Sequence, residues 1–190
     1  MVKSAENRID PKEILRIGGV LLIICAAVAL ILSFVNMVTI EKIAENEENE
    51  KREAIVALFG SDTIEYNAMA NVPDTVNDIY SVSEGSSAVG YCVSVSPSGF
   101  GGNINIMVGI DPDGAVIGVR IVSHSETPGL GSRIENDSFL SQFDGKTGAV
   151  VNGQDFDIIS GSTVSSKAIA AGVNTALAAL SEMLMGGVEN

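Results

Sequence analysis

The feature that most constrains this chain is a run of 24 uncharged residues, from residue 17 to residue 40. As an α-helix the run is about 36 Å long, which exceeds the roughly 30 Å hydrocarbon core of a bilayer. A cleaved signal peptide fits poorly, because its apolar core spans about 7–15 residues and a small-residue cleavage site should follow. Glu41 and Lys42 follow here instead. We predict a transmembrane helix at 17–40, in contact with membrane lipid.

Charges on the two sides of this run bear on its orientation. Four bases precede the run and three follow it closely: Lys3, Arg8, Lys12 and Arg16 before, Lys42, Lys51 and Arg52 after. Because cytoplasmic flanks carry the excess of bases, the small difference favours a cytoplasmic amino terminus at 1–16. The Glu- and Lys-rich segment 41–53 is typical of a solvated helical stalk, and a short amphipathic helix at 54–60 completes the stalk and linker at 41–60. Residues 61–190 are then the main domain.

Charge and cysteine content exclude several classes of partner. Residues 54–190 hold 15 acidic and only four basic residues, so this part of the chain should repel nucleic acid and anionic lipid headgroups. The two cysteines, Cys25 and Cys92, form no CxxC motif or Cys/His cluster. We predict no metal ligands, no nucleic-acid partner and no catalytic residue.

Alternating apolar residues predict a β-rich region in the second half of the chain. The candidate strands are 79–82, 88–95, 103–110 and 115–122, with a tight Asp-Pro-Asp-Gly turn at 111–114 joining the last two into a hairpin. A short helix is expected at 139–143. Apolar residues at helical spacing from Ile169 to Leu184 predict a C-terminal helix. The expected fold is α+β, an antiparallel β-rich domain with a C-terminal helix, preceded by one transmembrane helix.

The start of the C-terminal helix carries the first candidate site. The segment Asp157-Ile-Ile-Ser160-Gly161-Ser162-Thr163 places hydroxyl groups where a helix has unpaired N–H groups and a positive dipole end. Lys167, four residues after Thr163, adds a cation on the same face. Phosphate is the usual anion at such a place. The alternative is a plain N-cap cluster, in which the hydroxyls satisfy the helix's own donors.

The same segment resembles the flavinylation motif of the FMN-binding domain family: an Asp, two residues, Ser or Thr, Gly, Ala and Thr. In that family the last Thr carries FMN through a phosphoester bond, so the resemblance implies Thr163 as the attachment residue. Ser162 stands where the family usually has Ala, and it places a second hydroxyl beside the expected acceptor.

A second candidate site follows the last predicted strand. The sequence His124-Ser-Glu126-Thr127-Pro128-Gly129-Leu130-Gly131 contains two glycines that allow close approach of the backbone to a flat ligand. Taken alone it is a polar turn. It also resembles a signature of the FMN-binding domain family, and it precedes the Thr163 motif in the family's order. A glycine-aromatic segment at 98–102 is similar to another part of the family, or is simply a flexible connection.

The resemblance implies a function. FMN would be attached to Thr163 by a separate Mg-dependent flavin transferase that uses FAD, and the flavin would relay electrons outside the cytoplasm. The chain most resembles the G subunits of Rnf-type complexes, which move electrons between ferredoxin and NAD while translocating an ion, with other membrane subunits as partners. Alternatives are the C subunit of Na⁺-translocating NADH:quinone reductase, a free-standing extracytoplasmic flavoprotein, and a membrane-anchored binding module without redox activity.

Overall fold

Helix α1, Pro11–Phe59, begins the computed structural model, which describes residues 11–186. The chain divides into two compact units, and the boundary along the chain lies between Glu48 and Asn49. In the first unit, Leu15–Ile40 is long and apolar enough to cross a membrane, and none of its most apolar stretch is buried. The predicted helix at 17–40 is therefore present. Residues 1–10 of the predicted cytoplasmic terminus and residues 187–190 of the predicted domain lie outside the described residues.

The second unit is built on a five-stranded antiparallel sheet in which each strand pairs with the next along the chain. The strands are β1 (Ile64–Ala68), β2 (Asp78–Glu84), β3 (Ser87–Val95), β4 (Asn105–Ile110) and β5 (Val116–Ser123). This meander needs only short connections, because antiparallel neighbours can be joined by tight turns. The predicted α+β fold is confirmed.

The predicted hairpin joins β4 and β5. The carboxylate of Asp111 accepts the N–H groups of Asp113 and Ala115 at 2.9 and 2.8 Å, which closes the turn locally. Strand β1 was not predicted. Its apolar alternation, Ile64, Tyr66 and Ala68, extends over only five residues, and none of its side chains is fully buried, so the signal in the sequence is short and weak.

Helix α3, Thr163–Gly186, covers one face of the sheet. Its apolar stripe packs on residues that point to the same side of β3 and β4: Ile169, Val173, Ala176 and Leu180 from the helix, Val93, Val95, Ile106 and Val108 from the strands. Thr163–Met185 is also long and apolar enough to span a membrane, but 44% of its most apolar stretch is buried within the domain. Helix α3 is therefore the core helix of this unit.

The end of α1 covers the opposite face. Ala54, Ile55 and Leu58 pack on the alternate residues of the central strands, including Cys92 and Met107. Since both faces are covered, the central strands are apolar on both sides. Neighbouring residues such as Cys92 and Val93 then belong to separate cores.

A set of short helices joins β5 to the segment before α3. A 3-10 helix at Gly131–Glu135 is followed by α2, Asp137–Leu140, and a second 3-10 helix, Ser141–Phe143. They carry an aromatic cluster in which Phe143 lies with its ring centroid 5.6 Å from that of Phe139 and 5.3 Å from that of Phe156. The short helix predicted at 139–143 corresponds to the second half of this segment.

Phe143 should dominate the stability of this segment, because it is fully buried. Phe143→Ala removes the centre of the aromatic cluster and leaves a cavity, so we expect the free energy of unfolding to fall by about 3–5 kcal/mol. Urea unfolding of the full-length chain in detergent, followed by circular dichroism, measures the change. Phe100→Ala is the matched control; this ring is 74% exposed, and we expect a loss below about 0.5 kcal/mol. Equal losses of the free energy of unfolding in the two variants would contradict the dominant role of Phe143.

Candidate cofactor site at the amino end of helix α3

Three segments that are distant in sequence meet at one cleft. The cleft has a volume of about 230 Å³ and lies where the glycine-aromatic loop, the loop after β5 and the start of α3 converge. Its lining comprises Phe100, Glu126, Thr127, Leu130, Gly131, Gly161, Ser162, Thr163, Val164 and Ser165. The fold therefore brings the two predicted motifs together.

A buried carboxylate, that of Glu126, connects the three segments. Its Oε1 accepts the backbone N–H groups of Phe100 at 2.7 Å and Gly101 at 3.1 Å. Its Oε2 accepts the hydroxyl of Ser165, in the first turn of α3, at 2.8 Å. Glu126 is only 5% exposed. Gly131 lies directly beside it, and a Cβ on Gly131 would be 2.6 Å from Oε2, so no larger residue fits there.

The hydrogen bonds keep this carboxylate ionised. Burial raises the pKa of the Glu126 carboxyl, but the hydrogen bonds from Ser165, Gly101 and Phe100 lower it by more, and the resulting pKa is below the ordinary value. Three donors aimed at one carboxylate stabilise its charged form. Glu126 therefore acts as an anionic bridge between the glycine-aromatic loop and α3.

The hydroxyl groups at the start of α3 hold other segments and do not cap the helix. The Ser162 carbonyl accepts the N–H of Ser166 at 2.8 Å, so the helical bonds begin there. The Ser162 hydroxyl donates to the carbonyl of Leu130, Ser165 donates to Glu126, and the Ser166 hydroxyl accepts the N–H of Ile159 at 3.2 Å. Within residues 11–186, the N–H groups of Thr163, Val164 and Ser165 have no hydrogen-bond acceptor. The N-cap alternative is thus not supported.

Thr163 and Ser162 differ sharply in accessibility. Thr163 is exposed, and within the described residues its hydroxyl makes no hydrogen bond. Ser162 is 3% exposed and its hydroxyl is turned toward Leu130. Gly161, between Ser160 and Ser162, has φ +85°, and a Cβ there would lie 2.9 Å from the Leu130 side chain. The glycine therefore permits the turn that presents Thr163 beside the cleft.

Three large apolar side chains at the cleft are exposed to solvent. Phe100, Leu130 and Val164 are 74%, 48% and 49% exposed. Among residues 49–186, only three other large hydrophobic residues are exposed: Val151, Leu184 and Met185. Uncovered apolar groups gathered at one cleft indicate a ligand or partner site.

Other residues of the two motifs lie outside the cleft lining. Pro128 and Gly129 form an exposed turn that is closed by hydrogen bonds to the Thr127 carbonyl. His124 Nδ1 accepts the N–H of Glu126 at 3.1 Å, and its Nε2 lies 2.9 Å from Glu135 Oε1. In the other motif, the Asp157 N–H donates to Gln142 at 2.7 Å, the Ser160 carbonyl accepts a hydrogen bond from Arg133, and Lys167 is exposed.

Sequence reasoning missed Ser165 and Arg133 at this site, and it noted Phe100 only as part of the segment 98–102. Ser165 carries the contact from α3 to Glu126, and Phe100 supplies part of the apolar rim. Arg133 donates from Nη1 to the Ser160 carbonyl at 3.1 Å. Arg133 could have been noticed, because it is one of only four bases in residues 54–190. The pairing of Ser165 with Glu126 joins residues 39 apart and leaves no sequence signal.

Comparison with known proteins defines the class first. The model of the FMN-binding domain family matches residues 99–178, which include all three segments of the cleft. The fold is similar to the crystal structure of Shewanella oneidensis NqrC, with a TM-score of 0.57 and 16% identity over 75% of this chain and 99% of that one. The C subunit of the Na⁺-translocating NADH-quinone reductase from Parabacteroides distasonis gives the same TM-score at 17% identity, over 76% of this chain and 96% of that one. The second unit is an FMN-binding domain.

Similar full-length chains then define the family. The chain is 31% identical to the G subunit of the proton-translocating ferredoxin:NAD⁺ oxidoreductase complex of Clostridium ljungdahlii, over 88% of this chain and 92% of that one. It is 32% identical to the G subunit of the ion-translocating oxidoreductase complex of Shewanella amazonensis, over 87% and 86%. The chain belongs to the family of G subunits of Rnf-type ion-translocating oxidoreductase complexes.

The geometry of the cleft fits FMN. The three unpaired N–H groups of the first helical turn match a phosphate group, because helix amino ends favour anions. The uncovered side chains of Phe100, Leu130 and Val164 match a flat, largely apolar ring system. A phosphate-bearing aromatic cofactor uses both features at once.

The bridge through Glu126 generates a testable pH dependence. The carboxyl has a folded-state pKa below its unfolded value of about 4.3, so its contribution to stability is complete above that value. The contribution is lost as the pH falls through the folded-state pKa. Glu126→Gln should lower the free energy of unfolding at pH 7 by about 2 kcal/mol, since hydrogen bonds to a charged group are lost.

Chemical unfolding at several pH values tests this expectation. The difference in the free energy of unfolding between the wild-type protein and Glu126→Gln should narrow as the pH falls below about 4. Glu182→Gln is the matched control, because Glu182 is exposed on the same helix and its replacement should leave stability unchanged at every pH. A gap that stayed constant down to about pH 3 would count against an ionised bridge.

Proposed function

We propose that FMN is joined through a phosphoester to the hydroxyl of Thr163, and that the chain relays electrons within a membrane-bound Rnf-type complex. Such a complex moves electrons between ferredoxin and NAD while it translocates an ion. One observation carries the proposal: the exposed Thr163 hydroxyl stands at the amino end of α3, beside unpaired N–H groups and an uncovered apolar cleft. Names of the related G subunits, which refer to ferredoxin, NAD⁺ and ion translocation, support the wider role.

Attachment of the flavin requires a second protein. Within the described residues no base contacts the Thr163 hydroxyl, and the nearest buried carboxylate, Glu126, is occupied by Ser165 and the glycine loop. A Mg-dependent flavin transferase would supply the activation. The Thr163 oxygen bonds to the FMN phosphorus of FAD, the pyrophosphate bond breaks, AMP leaves, and the hydroxyl proton is released to the transferase or solvent. Exposure of Thr163 allows such an enzyme to reach it.

Residues of this chain have distinct roles once FMN is present. FMN supplies the capacity to accept and donate one or two electrons. The first-turn amides and Lys167 would stabilise the phosphate, while Gly161 and Ser160 shape the turn that presents Thr163. Thr127, Leu130 and Gly131 line the ring side of the cleft, Pro128 and Gly129 shape its outer turn, and His124 and Glu126 hold this loop in place. Asp157, exposed before the turn, is available to the transferase.

The membrane helix gives the protein its location. We infer that α1 anchors the chain in the cytoplasmic membrane as a single pass, with residues 1–16 in the cytoplasm and the flavin domain at 61–190 outside it. Leu15–Ile40 supports the anchor, and the excess of bases before residue 17 supports the orientation. The short segment 41–60 between the anchor and the domain favours a G subunit over the longer C subunit of the Na⁺-translocating reductase.

Mass spectrometry tests the attachment residue. The full-length protein, co-expressed with a flavin transferase and purified under denaturing conditions, should carry one FMN-sized adduct on the peptide that contains Thr163. Thr163→Val should abolish the adduct. Ser162→Ala is the matched control and should retain it, because the Ser162 hydroxyl is buried against Leu130. An adduct that survives in Thr163→Val, or is lost in Ser162→Ala, would overturn the assignment.

Native purification separates the Rnf-type role from the free-standing one. The chain, tagged in its own cells and extracted in mild detergent, should co-purify with integral membrane subunits and with iron–sulfur subunits. Any iron–sulfur centre recovered with the chain would belong to those subunits, because within the described residues no group of three or more His, Cys, Asp and Glu could hold a metal ion. Recovery of the chain as a single polypeptide with covalent FMN would favour a free-standing flavoprotein.

A further inference from the structure

The few cations of the acidic domain are unequally paired. Residues 54–190 hold 15 acids and only four bases, so a base there should easily find a carboxylate. Two of the four form ion pairs: Arg120 with Asp137 at 3.5 Å and Lys146 with Asp155 at 3.1 Å. Within residues 11–186, Arg133 and Lys167 form no ion pair. Both belong to the surroundings of the 157–163 motif, one through its contact with Ser160 and the other through its place on α3.

Arg133 is held in register with that motif by neighbouring contacts. It lies in the 3-10 helix Gly131–Glu135, which packs against α3. Its Nη1 donates to the Ser160 carbonyl at 3.1 Å. Nearby, the Leu130 carbonyl accepts the Ser162 hydroxyl and the Leu130 side chain fills the space beside Gly161. Leu130 and Arg133 thus both contact the segment 160–162.

Arg133 is an exposed cation that forms no ion pair within residues 11–186, and it lies near the amino end of α3. The positive end of the helix dipole there favours an anion, and the same anion could also pair with the guanidinium. A guanidinium has five N–H donors, and only one contact of Arg133, that to Ser160, is made by the described residues. The remaining donors form a fork of the geometry that binds phosphate oxygens.

We propose that Arg133 is a positioning residue for the cofactor: it binds the phosphate of the flavin held at Thr163 while it keeps its contact with the Ser160 carbonyl. This inference rests on the proposed function, and it adds a residue that lies outside both recognised motifs. Arg133 would thereby join the loop after β5 to the phosphate beside Thr163.

The test compares two flavins in a protein that cannot form the ester. The full-length chain with Thr163→Val, in detergent, is titrated with FMN and with riboflavin, and flavin fluorescence reports binding. Riboflavin has the same ring and ribityl chain but no phosphate. We expect FMN to bind more tightly than riboflavin. Adding Arg133→Gln should weaken FMN about tenfold and leave riboflavin unchanged, because a charge-assisted contact to phosphate is lost.

Two control variants sharpen this comparison. Arg133→Lys keeps the charge but not the fork and should retain part of the preference for FMN. Arg120→Gln removes a base of the same domain that is paired elsewhere, and it should change neither affinity.

Three outcomes would overturn the inference. Equal affinity for FMN and riboflavin in the parent, or no binding of either, would mean that no phosphate site exists there. A parallel loss of both flavins in Arg133→Gln would mean that Arg133 only supports the loop. The adduct on Thr163 in the co-expressed wild-type protein is measured independently and tests the proposed function. A failure of the flavin titrations can therefore be told apart from a failure of that function.

Discussion

The buried carboxylate of Glu126 is the interaction on which the site depends. It accepts two backbone N–H groups of the glycine-aromatic loop on one oxygen and the Ser165 hydroxyl of α3 on the other. A buried charge is tolerated only when it is fully hydrogen-bonded, so each of its partners must stay in place. One side chain thereby fixes three segments that lie up to 66 residues apart in the chain, from residue 99 to residue 165.

Close approach to this carboxylate explains the density of glycine around the cleft. A Cβ on Gly99 would lie 2.2 Å from Glu126 Oε1, and one on Gly131 would lie 2.6 Å from Oε2. Any other residue at either position would displace the carboxylate or the loop. Gly99 and Gly131 therefore serve packing around an ion, and the apolar side chains of Phe100 and Leu130 remain exposed at the cleft.

Electrostatics divides the cleft into two ends. One end is formed by the first turn of α3, whose unpaired N–H groups carry the positive end of the helix dipole, with the ionised Glu126 carboxylate bound to Ser165 in the same turn. At the other end Phe100, Leu130 and Val164 are apolar and uncovered. In the proposed function, a phosphate held at the first turn of α3 would leave the attached ring at the apolar end. A covalent bond at Thr163 would then retain the cofactor at the cleft.

Local sequence determined much of this protein. Four of the five strands and the apolar stripe of α3 follow from the period of apolar residues within one segment. The uncharged run at 17–40 and the turn at 111–114 are equally local signals. The Thr163 and His124 motifs were likewise visible, because each is contiguous. Strand β1 was missed since it is only five residues long and none of its side chains is fully buried, which leaves a weak local signal.

Tertiary structure alone decided how the motifs act together. The role of Glu126 as an ionised bridge, the burial of Ser162, the exposure of Thr163 and the contact of Arg133 with Ser160 all arise between segments far apart in the chain. A hydroxyl at a helix start can cap the helix, hold another loop or accept a cofactor with the same local sequence. Which of these it does depends on the atoms that folding brings beside it, and those atoms belong to other segments.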